Sequence, residues 1–179
     1  MARVFSTIFY KNNKVQKTVI KNHPNNPYSI LREEIQDFML DKLQVMIDQK
    51  LIKGIGENGM EYAVVAEVMN LPKEIVRMIQ KFDFTKKNPK LIYINTSEQL
   101  ISLNDAIVIA YLNLIGFDII FFVPTGYQNV EKHFNNITME EHQIGDYIYD
   151  MKVPDLDKIP KPKERQGGRG LFNIFKRGN

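Results

Sequence analysis

The chain of 179 residues contains no cysteine. Disulfides, thiolate metal sites and a cysteine nucleophile are therefore excluded. Nor does any apolar run approach the roughly 18 residues that a membrane-spanning helix needs. The N-terminus lacks the layout of a signal peptide, because Lys11 and further polar residues soon follow Phe9 and Tyr10. These absences favour a cytoplasmic protein without a transmembrane segment.

Acidic residues are missing from residues 1–26, which carry five basic side chains. Residues 152–179 carry eight basic and three acidic side chains. The total charge of +3 therefore hides an acidic centre, since residues 27–151 hold 11 basic and 18 acidic residues, a net charge of −7. Such a distribution is a weak case for nucleic-acid binding.

Composition and pattern divide the chain into three expected parts. Residues 1–26 are predicted to form a basic strand or hairpin segment, and residues 27–151 an α/β domain. Residues 152–179 turn to proline, glycine and scattered charge, which is typical of an unfolded tail. Within this tail, residues 171–177 combine two phenylalanines with a basic end. That peptide would suit docking on a partner or weak peripheral contact with an anionic membrane, and an idle tail is the alternative.

The most informative stretch has two apolar runs, residues 90–95 and 118–123, on either side of a helical pattern over residues 102–114. It predicts a βαβ unit, whose right-handed crossover makes the two strands parallel. Ser102 and Asp105 have the spacing of a helix cap. Further elements are predicted as strands over residues 3–10, 62–69 and 146–149, a turn over 11–14, a long helix from 27 to near 54, and short helices near 72–79 and 129–134. The alternation indicates an α/β fold, a Rossmann-like, doubly wound, mostly parallel sheet with flanking helices.

A turn over residues 124–127 follows the second strand of this unit. Open α/β sheets hold their ligands at the carboxyl ends of their strands. Thr125 could donate its hydroxyl to a phosphate oxygen, Gly126 would let the backbone approach a ligand, and Tyr127 would stack on a base or sugar. The alternative is an ordinary polar turn.

A polar loop over residues 95–98 follows the first strand, and the parallel pairing should bring it to the same edge. Asn95, Thr96, Ser97 and Glu98 are its candidate ligand-binding residues. Glu98 is the nearest candidate for holding a ribose hydroxyl or acting as a base. Together the loop and the turn predict a site for a nucleotide or a phosphorylated sugar.

His142 and Gln143 are further candidates for the wall of this crevice. A metal site is not predicted, because His133 and His142 lie among glutamates without a spacing typical of metal ligands. Asp118, at the other end of its strand, is expected to be structural.

Five segments in order resemble the YceG-like family, over about residues 26–154: residues 82–90, 102–106, 113–119, 122–127 and 141–145. Members of that family are encoded beside tellurite-resistance (Ter) genes in bacterial stress operons and are described as components of a "biosynthetic module". The family pattern emphasises Thr125, Gly126, Tyr127, His142 and Gln143. Its members are longer, and the chain resembles only their C-terminal part, so an activity that needs a preceding domain is not expected of this chain alone.

Two functional hypotheses follow, and neither decides whether the chain is an enzyme. In the first, a Ter-system domain binds a nucleotide or phosphorylated sugar, as the donor-binding half of a transferase would. In the second, a non-catalytic module assembles Ter-system proteins or docks on a partner domain. A ligand site predicts a pocket at the carboxyl edge with Thr125 and Glu98 facing into it, whereas an assembly module predicts an exposed apolar patch.

Overall fold

The computed structural model describes residues 2–83, 85–127, 130–135, 139–152, 155 and 158, with the backbone alone for residues 2–4. Six α-helices, four short strands and one 3-10 helix follow one another in these ranges. They are α1 (Ala2–Phe9), β1 (Tyr10–Lys11), β2 (Lys14–Val15), α2 (Lys17–Lys21), α3 (Glu33–Asp48), α4 (Met60–Val68), α5 (Lys73–Lys81), β3 (Lys90–Ile94), α6 (Leu103–Leu114), β4 (Asp118–Phe122) and the 3-10 helix Val130–His133.

The N-terminal segment begins with a helix, so the strand predicted over residues 3–10 is wrong. Phe5 and Phe9, four residues apart, stack at 6.1 Å between ring centroids, and the ring of His23 lies against both. Residues four apart lie on the same face of a helix, and α1 packs on α4. The turn at residues 11–14 is confirmed. Asn12 and Asn13 adopt the positive φ angles of 53° and 59° that join β1 to β2.

The helix predicted from residue 27 to near residue 54 is shorter, because α3 covers only Glu33–Asp48. Asn26, the residue before the predicted start of this helix, does not cap α3, whose N-cap residue is Arg32. The side-chain oxygen of Asn26 instead accepts a hydrogen bond from the backbone N–H of Tyr28 at 2.9 Å, within a run of turns. The strand predicted over residues 62–69 is also wrong, since those residues belong largely to α4. A continuous apolar run indicates burial but does not distinguish a buried strand from a buried helix.

The βαβ unit is confirmed. β3 and β4 pair in parallel with Lys90 opposite Asp118 and Ile94 opposite Phe122, and α6 connects them. The side chain of Ser102 caps α6 by accepting the backbone N–H of Asp105 at 3.1 Å, as the spacing predicted.

The doubly wound, Rossmann-like sheet is wrong. In the described ranges the strands form two separate two-stranded sheets, antiparallel β1–β2 and parallel β3–β4. Two of the predicted strands are the helices α1 and α4, and residues 146–149 form no strand. The part of the chain that the structure describes therefore folds as a mixture of helices and small sheets, with one parallel crossover.

The main core lies between helices, where apolar residues of α3, α4 and α6 meet. Two fully buried tyrosines connect these elements. The hydroxyl of Tyr111 donates to the backbone oxygen of Met39 at 2.9 Å, and that of Tyr28 donates to the backbone oxygen of Val68. Phe9 and Ile20 belong to the same core, so the N-terminal segment packs on the rest. Among the described residues, no helix has the length and apolar character needed to cross a bilayer.

Candidate functional site

The two candidate segments meet at the carboxyl edge of the parallel pair. The backbone N–H of Asn95 donates to the carbonyl of Phe122 at 2.9 Å, which continues the β3–β4 ladder by one step. The 95–98 loop and the 124–127 turn therefore leave neighbouring strands side by side, as the crossover predicted.

The 95–98 loop satisfies much of its own hydrogen-bonding capacity. The side-chain oxygen of Asn95 accepts the backbone N–H of Ser97 at 3.1 Å and its hydroxyl at 2.9 Å, and the Asn95 amide donates to the carbonyl of Gln99 at 3.0 Å. Thr96 is half-buried, whereas Ser97 and Glu98 are exposed. An Asx turn of this kind is a stable connection in its own right, and Glu98 faces solvent rather than an enclosed pocket.

The 124–127 turn places its three candidate residues in different surroundings. Thr125 is buried, and its hydroxyl oxygen has no hydrogen-bond partner in the described part of the chain. Gly126 has a φ of +70°, and its N–H donates to the carbonyl of Val123 at 3.0 Å. Tyr127 is about half exposed. An unsatisfied buried hydroxyl is uncommon, so Thr125 is the residue of this turn that stands out.

The close approach at Gly126 is made by another part of the same chain. A Cβ added there would lie 2.2 Å from a ring carbon of Tyr147, which no side chain could tolerate without displacement. The backbone N–H of Ile148 also donates to the carbonyl of Pro124 at 2.9 Å. Residues 147 and 148 therefore cover the turn. The sequence signalled that something approaches Gly126, but not that Tyr147 does.

His142 and Gln143 are exposed and keep to their own segment. The His142 ring lies 3.6 Å from the Glu140 carboxylate, and the Gln143 amide donates to the carbonyl of Gly145 at 3.3 Å. Within the ranges described, no hydrogen bond or ion pair joins either side chain to the 95–98 loop or the 124–127 turn. The crevice wall predicted from them remains a prediction.

The described residues contain no group of three or more histidine, aspartate or glutamate side chains that could hold a metal ion. His133, the other histidine near glutamates, uses its Nε2 atom in a 2.7 Å hydrogen bond to the carbonyl of Ile101. This contact joins the 3-10 helix to the segment before α6.

Two open surface cavities of about 320 and 590 Å³ border the β1–β2 hairpin. The smaller is lined in part by the Lys17–Asp41 ion pair and Gln44, the larger by Ile8 and Tyr62. Neither contains a residue of the 95–98 loop or the 124–127 turn. These two cavities thus lie away from the carboxyl edge.

The parallel pair has one covered and one open face. On the covered face Tyr93 and Phe121 stack at 5.2 Å between ring centroids, and Leu91 and Ile119 pack on the core. The opposite face, called the outer sheet face, carries exposed apolar side chains at two successive register positions. They are Ile92 (56% exposed), Ile120 (41%), Ile94 (39%) and Phe122 (45%).

Polar residues lie at the amino-terminal end of the two strands, where the outer sheet face begins. Lys90 and Asp118 stand opposite each other there as an ion pair, and the Lys90 ammonium, with help from the Asn88 amide, holds the pKa of Asp118 below its ordinary value. Asp118 is thus a structural residue, as expected. The sequence could have suggested this face, because residues 119–122 are apolar at consecutive positions and therefore on both sides of the strand.

A family model described as "YceG domain" matches residues 2–166. The "Uncharacterized protein YceG" of Bacillus subtilis (strain 168) is 33% identical over 95 residues, an alignment that covers 51% of this chain and 18% of that relative. The chain thus spans less than a fifth of the relative's length. No solved structure matches this chain.

Proposed function

Because the chain belongs to the YceG domain family, we propose that it is an interaction module of a YceG-type assembly and docks on a partner protein through the outer sheet face. One observation carries the proposal. Four large apolar side chains, including Ile92 and Phe122, are exposed together on a parallel pair of strands. Contiguous apolar surface on a water-soluble fold marks a contact site, and of the two functional hypotheses this is the feature that the assembly module predicted.

The surroundings of the carboxyl edge support the same choice. Tyr147 and Ile148 cover the 124–127 turn, the 95–98 loop satisfies its own polar groups, and the two cavities lie elsewhere. Next to the turn, residues 144–149 add the exposed side chains of Ile144, Tyr147, Ile148 and Tyr149.

The resemblance to a Ter-linked family extends the proposal to its biological setting. The partner would be another protein of a cytoplasmic stress-response system, within the "biosynthetic module" that the resemblance implies. This part rests on the resemblance alone. A basic docking peptide at residues 171–177 would give the module a second contact, and this peptide lies outside the described residues.

Site-directed crosslinking tests the proposed function. The absence of native cysteine makes Ile92→Cys a unique attachment point for a photo-crosslinker on the outer sheet face. Ile30→Cys is the matched control, since Ile30 is also an exposed isoleucine but lies before α3. In the native host we expect one identified protein to crosslink at position 92, not at position 30, and to be lost when Ile120→Lys is added. Equal products at both positions would show that the face is not a docking site.

The ligand hypothesis remains a second candidate because of one specific observation, the buried and unpartnered hydroxyl of Thr125. A phosphate-type ligand there would satisfy that hydroxyl, and Tyr147 would have to move away from Gly126 to admit it. A transferase donor site would be a special case of this candidate.

A thermal-shift screen tests the ligand candidate with inorganic phosphate, nucleotides, nucleotide-sugars and sugar phosphates. At 100 times its Kd a ligand adds about 2.7 kcal/mol of stability, or about 5–10 °C in Tm for a chain of this size. The shift should be lost in Thr125→Val with Tyr127→Ala and should grow in Tyr147→Ala. If no compound shifts either the wild type or Tyr147→Ala, the candidate is wrong.

A further inference from the structure

Residues 146–149 cross the 124–127 turn as a segment without regular secondary structure, called the strap. The strap contacts the turn through the ring of Tyr147 and through the backbone N–H of Ile148. In the part of the chain that the structure describes, this N–H makes the one hydrogen bond that joins residues 139–152 to the rest. The polar attachment of the strap is therefore slight.

The strap also gains little from burial, and it lies between two turns. Tyr147, Ile148 and Tyr149 each remain more than half exposed in the closed position that the structure shows. The φ angle is positive at both ends, +83° at Gly145 and +57° at Asp150. A Cβ added at Gly145 would meet no atom within 4 Å apart from its chain neighbours. Segments with so few buried contacts open locally while the rest of the fold stays intact.

Closure of the strap is opposed by the hydroxyl of Thr125. This residue lies between Pro124 and Gly126, the two positions that the strap contacts, and only 5% of it is exposed. Its hydroxyl oxygen has no hydrogen-bond partner among the described residues. A buried hydroxyl without a partner destabilises the state that buries it, because water satisfies the same group once it is exposed. The closed strap therefore competes with the hydration of Thr125.

We propose that the strap is a two-state device, closed over the turn by the Tyr147 ring and biased toward opening by the Thr125 hydroxyl. The closed state is autoinhibitory, because Tyr147 fills the space next to Gly126. A ligand of this turn would bind only the open state, so its apparent Kd would be its intrinsic Kd divided by the open fraction. The inference goes beyond the proposed function, since it needs neither a docking partner nor a bound ligand.

Hydrogen exchange of single backbone amides, measured by NMR on the full chain, tests the proposal. The Ile148 amide reports opening of the strap. The Asn95 amide donates to the Phe122 carbonyl at the same distance of 2.9 Å and reports opening of the strand pair. In the wild type, Ile148 should be protected at least about tenfold less than Asn95. Low concentrations of urea should leave the exchange of Ile148 unchanged, because a local opening exposes little surface.

Two substitutions of threonine by valine separate the effect of the hydroxyl from general effects on stability. Thr125→Val removes the unpartnered hydroxyl, so the protection of Ile148 should rise by at least about fivefold, which corresponds to about 1 kcal/mol. Thr96→Val is the matched control, since Thr96 is half-buried in the neighbouring loop, and it should leave Ile148 unchanged. Tyr147→Ala removes the ring contact and should abolish most of the protection of Ile148.

Each other result decides against the proposal. Equal protection of Ile148 and Asn95, with the same dependence on urea, would show that the strap opens only together with the strand pair. If Thr125→Val leaves Ile148 unchanged, the hydroxyl does not oppose closure. An equal rise in Thr96→Val would show a general stabilisation of this edge. No ligand or partner is present in these measurements, so their outcome is independent of the thermal-shift screen and of crosslinking at position 92.

Discussion

Ile119 and Ile120 are neighbours in β4 but point to opposite faces of the sheet. Replacing each by lysine therefore tests which face is covered and which is open. Ile119 packs between the core clusters, whereas Ile120 lies opposite Ile92 on the outer sheet face. Ile119 is partly buried, so Ile119→Lys loses at most about 1.5–3 kcal/mol of apolar burial. It also brings an ammonium against the core, a cost that the long side chain partly relieves by reaching solvent. We expect a total loss of about 2–4 kcal/mol.

Ile120→Lys should change the free energy of unfolding by no more than about 0.5 kcal/mol, because its side chain replaces one that is already in contact with water. Urea unfolding followed by circular dichroism measures the free energy of unfolding of both variants. An unchanged m value would show that each variant exposes as much surface on unfolding as the wild type. In thermal melts, Ile119→Lys should lower the Tm by about 5–15 °C. An equal loss in both variants would refute the assignment of an open outer sheet face.

Three further predictions concern other parts of the fold. Gly126→Ala should lower the free energy of unfolding in urea melts by about 2–4 kcal/mol, since it combines left-handed backbone strain with displacement of the Tyr147 ring. In a Tyr147→Ala background the loss should be only about 1–2 kcal/mol. Equal losses in both backgrounds would show that Tyr147 does not contact Gly126. Burial raises the pKa of Tyr28 and Tyr111. The stability that they contribute is therefore fully present below pH 10, near which tyrosine ionises in the unfolded chain. Above that pH the free energy of unfolding should fall by about 1.4 kcal/mol per pH unit for each tyrosine. Urea midpoints at pH 8, 10 and 11 would check this. Ser102→Ala, which removes the cap of α6, should cost about 1 kcal/mol, whereas Ser102→Asp should retain most of the stability.

The position of the candidate site could be predicted from the sequence, but the residues that surround it could not. The order strand, helix, strand brings Asn95 and Thr125 to one edge, because a crossover between parallel strands leaves both carboxyl ends on the same side. That Tyr147 would lie against Gly126 depends on the path of residues 139–149, which have no periodic pattern. In the structure the Tyr147 ring lies in the space next to Gly126 where the sequence predicted a ligand.

Local signals determined several elements from the sequence by itself. The pair Asn12 and Asn13 predicted a turn because these residues tolerate positive φ, and Ser102 predicted a helix start because its hydroxyl can accept a free N–H three residues later. Both mechanisms operate within four residues, so no distant contact is needed to establish them.

Only the tertiary structure decided the form of the apolar runs at residues 3–10 and 62–69. Their composition indicates burial, which a helix and a strand provide equally well. Here α1 packs on α4 and α4 on α6, so helices bury both runs. The backbone form of a buried run is set by the neighbours that bury it, and these neighbours lie far away in the sequence.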